Sequence, residues 1–304
     1  MQDKQKISLC LTVVIGLLAL TGCSQGKAVQ LANEIHFPVN GISGVTISYD
    51  EEPITFYESE NDELIIKEYM TENKRSYYAK VEQSSNSIEI HEGGKPLLKS
   101  GFSRYIEVYL PASYRDNLTV TTTDGDIDLT EMKAGLHSLK IDSTAGTVQL
   151  GDVEAKEVAL SSTSGTLDVG DLCADTIRID STSGSVSCKR LDGDVTYTTT
   201  SGNAEIASAV GSGKYTANNS GELHVVYTEV TGDVSFFNKN DSIQVTLPPE
   251  LEFEFDATTK NGSISTSFSS MLSSDGRTTH GTVGDNPTVT VYVETKNGNI
   301  EVNQ

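Results

Sequence analysis

Apolar residues along most of this chain come in pairs spaced by two, one pair on each side of a glycine. Val158 and Leu160 precede Gly165, and Leu167 and Val169 follow it; Gly184 has Ile177, Ile179, Val186 and Cys188 at the same offsets. Gly146 repeats the arrangement with Leu139, Ile141, Val148 and Leu150, and Gly125 with Leu118, Val120, Ile127 and Leu129. Far downstream, Gly298 has Val291, Val293, Ile300 and Val302. Alternation of period two on both sides of a turn predicts two short strands, each with one face buried. Glycine takes positive φ without steric cost, and Ser, Thr and Asn hydrogen-bond local backbone, so the middle of each unit reads as a turn.

The unit recurs. Thr163-Ser164-Gly165 is followed 19 residues later by Thr182-Ser183-Gly184, and 18 residues after that by Thr200-Ser201-Gly202. In both directions the same slot holds Gly125, Gly146, Gly221, then Asp241, Gly262 and, after a longer gap, Gly298. A series of β-hairpins also fits this pattern. The near-constant spacing favours an all-β, single-stranded parallel β-helix (a β-solenoid) with rungs of about 19–21 residues, each coil burying its apolar positions only against its neighbours. The residue before the glycine runs Asp124, Ala145, Ser164, Ser183, Ser201, Ser220, Asn240, Asn261 and Asn297. Such a column is either a ligand-binding ridge or a hydrogen-bonded ladder serving the turns, and the ladder is the simpler reading.

Regular repeats are expected over 118–304, with a Ser-, Gly-, Asp- and Thr-rich surface loop at 271–288. Residues 41–117 read as earlier, less regular coils of the same stack, since Val45 and Ile47, Ile54 and Phe56, and Ile88 and Ile90 keep the alternation while the connections lengthen; a separate β-sandwich is the alternative. Leu110-Pro111 and Leu247-Pro248 stand at matching distances before Gly125 and Gly262, and proline, which cannot donate to a ladder, marks a strand end in both. Residues 24–40 read as a polar tether.

The first 23 residues read as a leader rather than as fold. Lys4 and Lys6 precede a mostly apolar run from Ile7 to Leu20, and Leu20-Thr21-Gly22-Cys23 ends it. This layout is that of a secretory signal, and its last four residues look like a bacterial lipobox, with Cys23 as the lipid-attachment residue of an exported, membrane-anchored protein facing outside the cytoplasm. An ordinary signal peptide is the alternative, and the run is short for a spanning helix. The net charge is −21, and losing Asp3, Lys4 and Lys6 makes the remainder one unit more acidic. Such a charge repels nucleic acid and suits a cationic partner or simple solubility. Cys188 shares an inward column with Leu150, Val169 and Ile206 and reads as a small core residue. Cys173 lies at a different lateral position, so a bridge between the two, though permitted by export, is not favoured.

The segment Tyr105-Ile-Glu-Val-Tyr-Leu-Pro111, then Leu118-Thr-Val-Thr-Thr-Thr-Asp-Gly-Asp-Ile-Asp-Leu129, then the Ser-Thr-Ser-Gly coils, resembles the bacterial putative-adhesin family from about Gly41 to the C-terminus. These are domains of unknown function built of β-strand repeats, often in membrane-anchored or exported proteins. The resemblance implies an elongated right-handed β-solenoid on the cell envelope, with envelope-stress roles in some members, and it transfers no catalytic residue.

Some β-helices are polysaccharide lyases or hydrolases, so a carbohydrate-active enzyme is the competing function. Its best candidates are Asp124, Asp126 and Asp128, of which the last two share an outer face about 7 Å apart. Asp168, Glu205 and Glu301 continue that column, but Gln149, Ser187 and His224 interrupt it, and a solvated face is the plainer reading. The five histidines, His36, His91, His137, His224 and His280, show no metal-ligand spacing, and no Gly-x-Ser-x-Gly elbow occurs. Thr119, Thr121, Thr196 and Thr198 suggest a hydroxyl face, broken by Lys140, Asp142, Arg178 and Asp180. The reading that results is a non-catalytic envelope lipoprotein without cofactor or metal, whose long acidic β-surface serves binding, structural or sensing roles toward an envelope polysaccharide, a cationic peptide or a protein.

Overall fold

The alternation seen in the sequence becomes a parallel register between coils. In the computed structural model, which describes residues 28–97, 101–268 and 272–304, Val158 and Leu160 lie beside Ile177 and Ile179, and Leu167 and Val169 beside Val186 and Cys188. All eight are buried. The protein is all-β. Among the described residues 23 strands join one open sheet, and the one helical turn is the 3-10 segment Arg75–Tyr77. No helix among them is long and apolar enough to cross a membrane.

The strands Leu167–Ser181, Val186–Thr199, Ala204–Ala217 and Leu223–Asn238 each run from one glycine turn almost to the next, so the sheet wraps a corner without a break. That corner adds an inward column that the flanking pairs do not reveal: Val153, Leu172, Leu191, Ala209 and Tyr227 lie in register and are all buried. Volume is conserved across the stack. Where Ile179 gives way to Tyr197, Tyr215 and Phe236 in one column, the adjacent column shrinks to Gly213, whose added Cβ would lie 2.6 Å from the Tyr227 hydroxyl. The Tyr215 and Tyr227 hydroxyls share one hydrogen bond at 3.1 Å, which gives each buried phenol oxygen a polar partner.

The glycine column has a different cause from the one the turn pattern suggests. Of its members only Gly221 has positive φ, at 111°. The rest are glycine because each Cα faces the carbonyl of the rung below: a Cβ at Gly146, Gly165, Gly184 or Gly202 would lie under 3.0 Å from the oxygen of Gly125, Gly146, Gly165 or Gly184. Beside this column runs a buried hydroxyl ladder, Thr122, Ser143, Ser162, Ser181 and Thr199. Ser181 Oγ donates to Gly184 O at 2.9 Å, and Gly202 N donates to Thr199 Oγ1 at 2.7 Å. These side chains satisfy turn groups that no strand partner reaches.

Spatial order departs from chain order at both ends. The coil holding Gly44–Ser48 and Ile54–Ser59 lies between the regular stack, through Asn117–Thr122 and Ile127–Glu131, and the outer strands Ser87–His91 and Arg104–Pro111. Residues 41–117 therefore belong to the same sheet but are not simply earlier coils in sequence. At the other end Val289–Thr295 sits between Leu223–Asn238 and Phe253–Thr259, and Ile300–Asn303 between Ile243–Thr246 and Ile264–Thr266. The last coil of the chain is thus next to last in space.

Two expected loose segments are ordered strands. Gln30–Pro38, read as part of a tether, pairs antiparallel with Glu63–Met70. Thr278–Val283, read as part of a projecting loop, pairs antiparallel with Phe253–Thr259, and Val283 is buried. Cys173 and Cys188 are both free, and burial pushes the Cys188 thiol up to about 12. The leader and Cys23 lie outside the described residues.

Candidate functional site

The strand Ile127–Glu131 turns Ile127 and Leu129 inward, which leaves Asp126 and Asp128 facing out. Their oxygens serve the neighbouring backbone. Asp126 Oδ1 accepts from Thr147 N at 2.8 Å, and Asp128 Oδ1 accepts from Thr130 N at 2.9 Å and Thr130 Oγ1 at 2.6 Å. The register aligns Asp128 with Gln149 and Asp168, then Ser187, Glu205 and His224, so the acidic column is interrupted where the residue types change. Glu205 is tied to His224 Nδ1 at 2.9 Å. Among the described residues no group of His, Cys, Asp and Glu could hold a metal ion, and the histidines His36, His91, His137, His224 and His280 share no site.

Along the turns, a groove of about 430 Å³ crosses five coils, with Thr123, Thr144, Thr163, Thr182 and Thr200 on its outer row and the buried hydroxyl ladder at its base. The base hydroxyls bond their own turns, so the groove presents a mostly satisfied surface. The column before the glycine is a ladder too. Ser164 Oγ and Ser183 Oγ reach the carbonyls of Thr144 and Thr163 at 3.2 Å, and farther on Asn297 Nδ2 bonds Asn240 Oδ1 at 2.6 Å and Asn261 Nδ2 bonds Asn297 Oδ1 at 2.8 Å. Asn219, not Ser220, supplies the step to Asn240.

Two clusters carry no local sequence signal strong enough to be singled out. The first is a buried ion network at the end of the stack that begins the chain. Arg104, with no exposed side-chain surface, reaches Glu52 at 2.9 Å, Glu92, and the Tyr77 carbonyl at 2.8 Å, and Lys95 Nζ lies 2.8 Å from Glu92 and 3.2 Å from Glu52. Next to it Glu68 is fully buried and accepts from Asn33 Nδ2 at 2.7 Å, Ala79 N at 2.8 Å and Tyr49 OH at 3.2 Å. Burial and the Glu68 charge raise the Tyr49 phenol well above its ordinary range. The network joins residues 33, 49, 52, 68, 92 and 104, which no periodicity relates. The second cluster is a set of outward tyrosines, Tyr57, Tyr69, Tyr105 and Tyr109, around Glu107. Its one trace in the sequence is the alternation Tyr105-Ile-Glu-Val-Tyr109.

Solved structures with similar architecture include a putative cell adhesion protein from Clostridium sporogenes, 12% identical over 90% of this chain and 99% of that one, with a TM-score of 0.29. A putative lipid binding protein from Parabacteroides distasonis is 11% identical over 88% and 96%, with a TM-score of 0.49, and a putative adhesin from Bacteroides fragilis is 14% identical over 92% and 100%, with a TM-score of 0.39. No curated protein matches the chain. A family model does, over residues 42–303, from the first glycine-bounded strand to the last inward valine: the chain belongs to the Toastrack DUF4097 family of strand-repeat domains.

Proposed function

We propose that this protein is a non-catalytic lipoprotein of the cell envelope, exported and anchored through lipid on Cys23, whose coils wind as one right-handed parallel β-helix. Its elongated acidic surface serves binding, structural or envelope-stress roles toward an envelope polysaccharide, a cationic peptide or a protein, and the same charge turns nucleic acid away. The observation that carries the non-catalytic reading is the state of the best carboxylate pair. Asp126 and Asp128 each commit Oδ1 to the sheet lattice, at Thr147 and Thr130, which ties both carboxyls to local backbone, whereas a glycosidase needs one carboxyl placed to donate a proton and a second placed to attack or activate water. The adhesin names of structural neighbours agree with a role at the cell surface.

The test is the double substitution Asp126→Asn with Asp128→Asn, followed by release of reducing sugar or unsaturated product from envelope polysaccharides. Each asparagine keeps an acceptor oxygen, so stability should change by less than about 1 kcal/mol. The expected result is no release from either protein. Release by the parent that the double variant abolishes would replace this reading with a carbohydrate-active enzyme.

A further inference from the structure

Outward positions of the regular coils are mostly Ser, Thr, Asp and Glu, but the face over the outer strands at the stack's first end is built differently. Three rows cross it in register. One row runs Leu31, Tyr69, Tyr105, and another runs His36, Ile65, Tyr109, Tyr57, Glu131. Between them lies Glu34, Lys67, Glu107, Thr55, Asp128. Two rows rich in large apolar or aromatic side chains therefore flank a central row of charge. Leu31 is 44% exposed and Tyr105 37%, so the first row is open to solvent, while Ile65, Tyr109 and Tyr57 in the second are half-buried.

The rings are held upright. Tyr69 stacks on Tyr105 with centroids 4.5 Å apart, and Tyr57 on Tyr109 at 5.2 Å. The Tyr69 and Tyr109 hydroxyls both donate to Glu107 Oε2, at 3.0 and 2.9 Å, and no described residue bonds its Oε1. Burial, and then the Glu107 contact, keeps those two phenols protonated as donors. The Lys67 ammonium, opposite Glu107 across the strands, stands 4.4 Å from the centroid of the Tyr109 ring. A cation resting on a tyrosine face beside a carboxylate is already part of this surface.

These features select a ligand chemistry. Glu34, Glu107, Asp128 and Glu131 outnumber Lys67, so a polyanion or an anionic bilayer is repelled. Each stacked pair covers one face of each of its rings, and the Lys67 ammonium stands over Tyr109, which reduces the ring face left for a pyranose to stack on. Arginine and lysine side chains fit both halves of the pattern, with apolar stems along the tyrosine edges and cationic heads on the central carboxylates. We propose that this face binds a basic segment of a partner polypeptide, whose arginine or lysine side chains enter between the tyrosine rows to meet Glu107 and its acidic neighbours. The proposal rests on the binding role given above and narrows it to one face and one chemistry.

The experiment titrates labelled octa-arginine into the purified chain by fluorescence anisotropy at low and physiological salt, with octa-glutamate, a neutral chitin hexamer and phosphatidylglycerol vesicles as comparators. Octa-arginine should bind and weaken as salt rises. Glu107→Gln should weaken it about tenfold and Tyr105→Ala several-fold, while Glu222→Gln, an exposed carboxylate on a distant coil, leaves it unchanged. Thermal melts of each variant confirm that the fold is retained. Equal weakening by Glu107→Gln and Glu222→Gln would show diffuse attraction and overturn the site. Binding of the chitin hexamer or the vesicles instead of octa-arginine would overturn the basic partner. No binding of octa-arginine, while the wild-type chain still retains material from intact envelopes, would overturn this proposal alone; loss of both would remove the binding role as well.

Discussion

Replacing Gly184 by alanine should break the stack at its centre. The added Cβ would sit under 3.0 Å from Gly165 O and 3.0 Å from its carbonyl carbon, both backbone atoms of the adjacent rung. Neither can rotate away, so the two rungs must separate locally. The bonds first strained are Thr182 N to Ser162 O at 3.0 Å, Ser183 N to Thr163 O at 2.8 Å, and Ser181 Oγ to Gly184 O at 2.9 Å. Overpacking of this kind costs about 1–3 kcal/mol, and two or three weakened hydrogen bonds add about 1 kcal/mol each, for a total of about 3–6 kcal/mol. With an m-value of about 3 kcal/mol/M for a chain this size, the urea midpoint should fall by about 1–2 M. Circular dichroism and tyrosine fluorescence, followed together, would show whether the two halves of the stack still unfold as one. Gly44→Ala is the control. Its Cβ would meet only Ser87 Cβ at 3.9 Å, so that substitution should be neutral or stabilising by about 0.5–1 kcal/mol. Equal midpoints for the two variants would refute the close-approach argument and return the column to ordinary turn preference.

Three further outcomes follow from the same structure. Arg104→Ala leaves Glu52 and Glu92 with Lys95 as their cationic partner and should destabilise the protein by up to about 3–5 kcal/mol in the same urea titration, whereas a loss below about 1 kcal/mol would mean that Lys95 or water takes over the lost contacts. Burial holds the Tyr197 phenol up at about 12 against an ordinary value near 10, so the folded state keeps a proton that the unfolded chain releases first; this contribution is whole below pH 10 and is lost as pH rises from 10 to 12. Urea midpoints across that window, read beside tyrosinate absorbance, should fall together, and a flat profile would count against it. Cys23→Ala should shift the exported protein from the membrane fraction to the soluble one, and unchanged detergent partitioning would defeat the anchor.

Much of the fold was legible because burial of one strand face is a local, period-two property. Val158, Leu160, Leu167 and Val169 announce their direction within a dozen residues, and repetition at near-constant spacing announces the stack. The corner column was less visible, since Val153, Leu172 and Leu191 stand alone in polar stretches and become core only when the sheet bends there. The order of coils at the ends could not be read at all. Nothing near Val289–Thr295 states that it will lie between strands that precede it in the chain, because pairing choice between similar strands is decided by competition over the whole molecule. The reason for the glycines was misassigned for a related cause, as positive φ is a property of one residue while close approach needs the neighbouring coil. The interrupted acidic column was legible residue by residue. The Arg104 network and the tyrosine face were not, since each gathers side chains from strands far apart in sequence.

The insertion of the coil at 289–303 changes what order along the chain means for this stack. In an ordinary repeat array the final unit is peripheral, and trimming it shortens the stack by one exposed layer. Here residues 289–303 act as a keystone. The strands at 253–259 and 264–266 are synthesised earlier but remain without their inner neighbour until residues 289–303 arrive and wedge between them and the body. Folding of this end therefore waits for residues 289–303, and a chain lacking them exposes two raw sheet edges rather than one finished end. Removing those residues would act on the stack as an internal deletion rather than as the trimming of a peripheral layer.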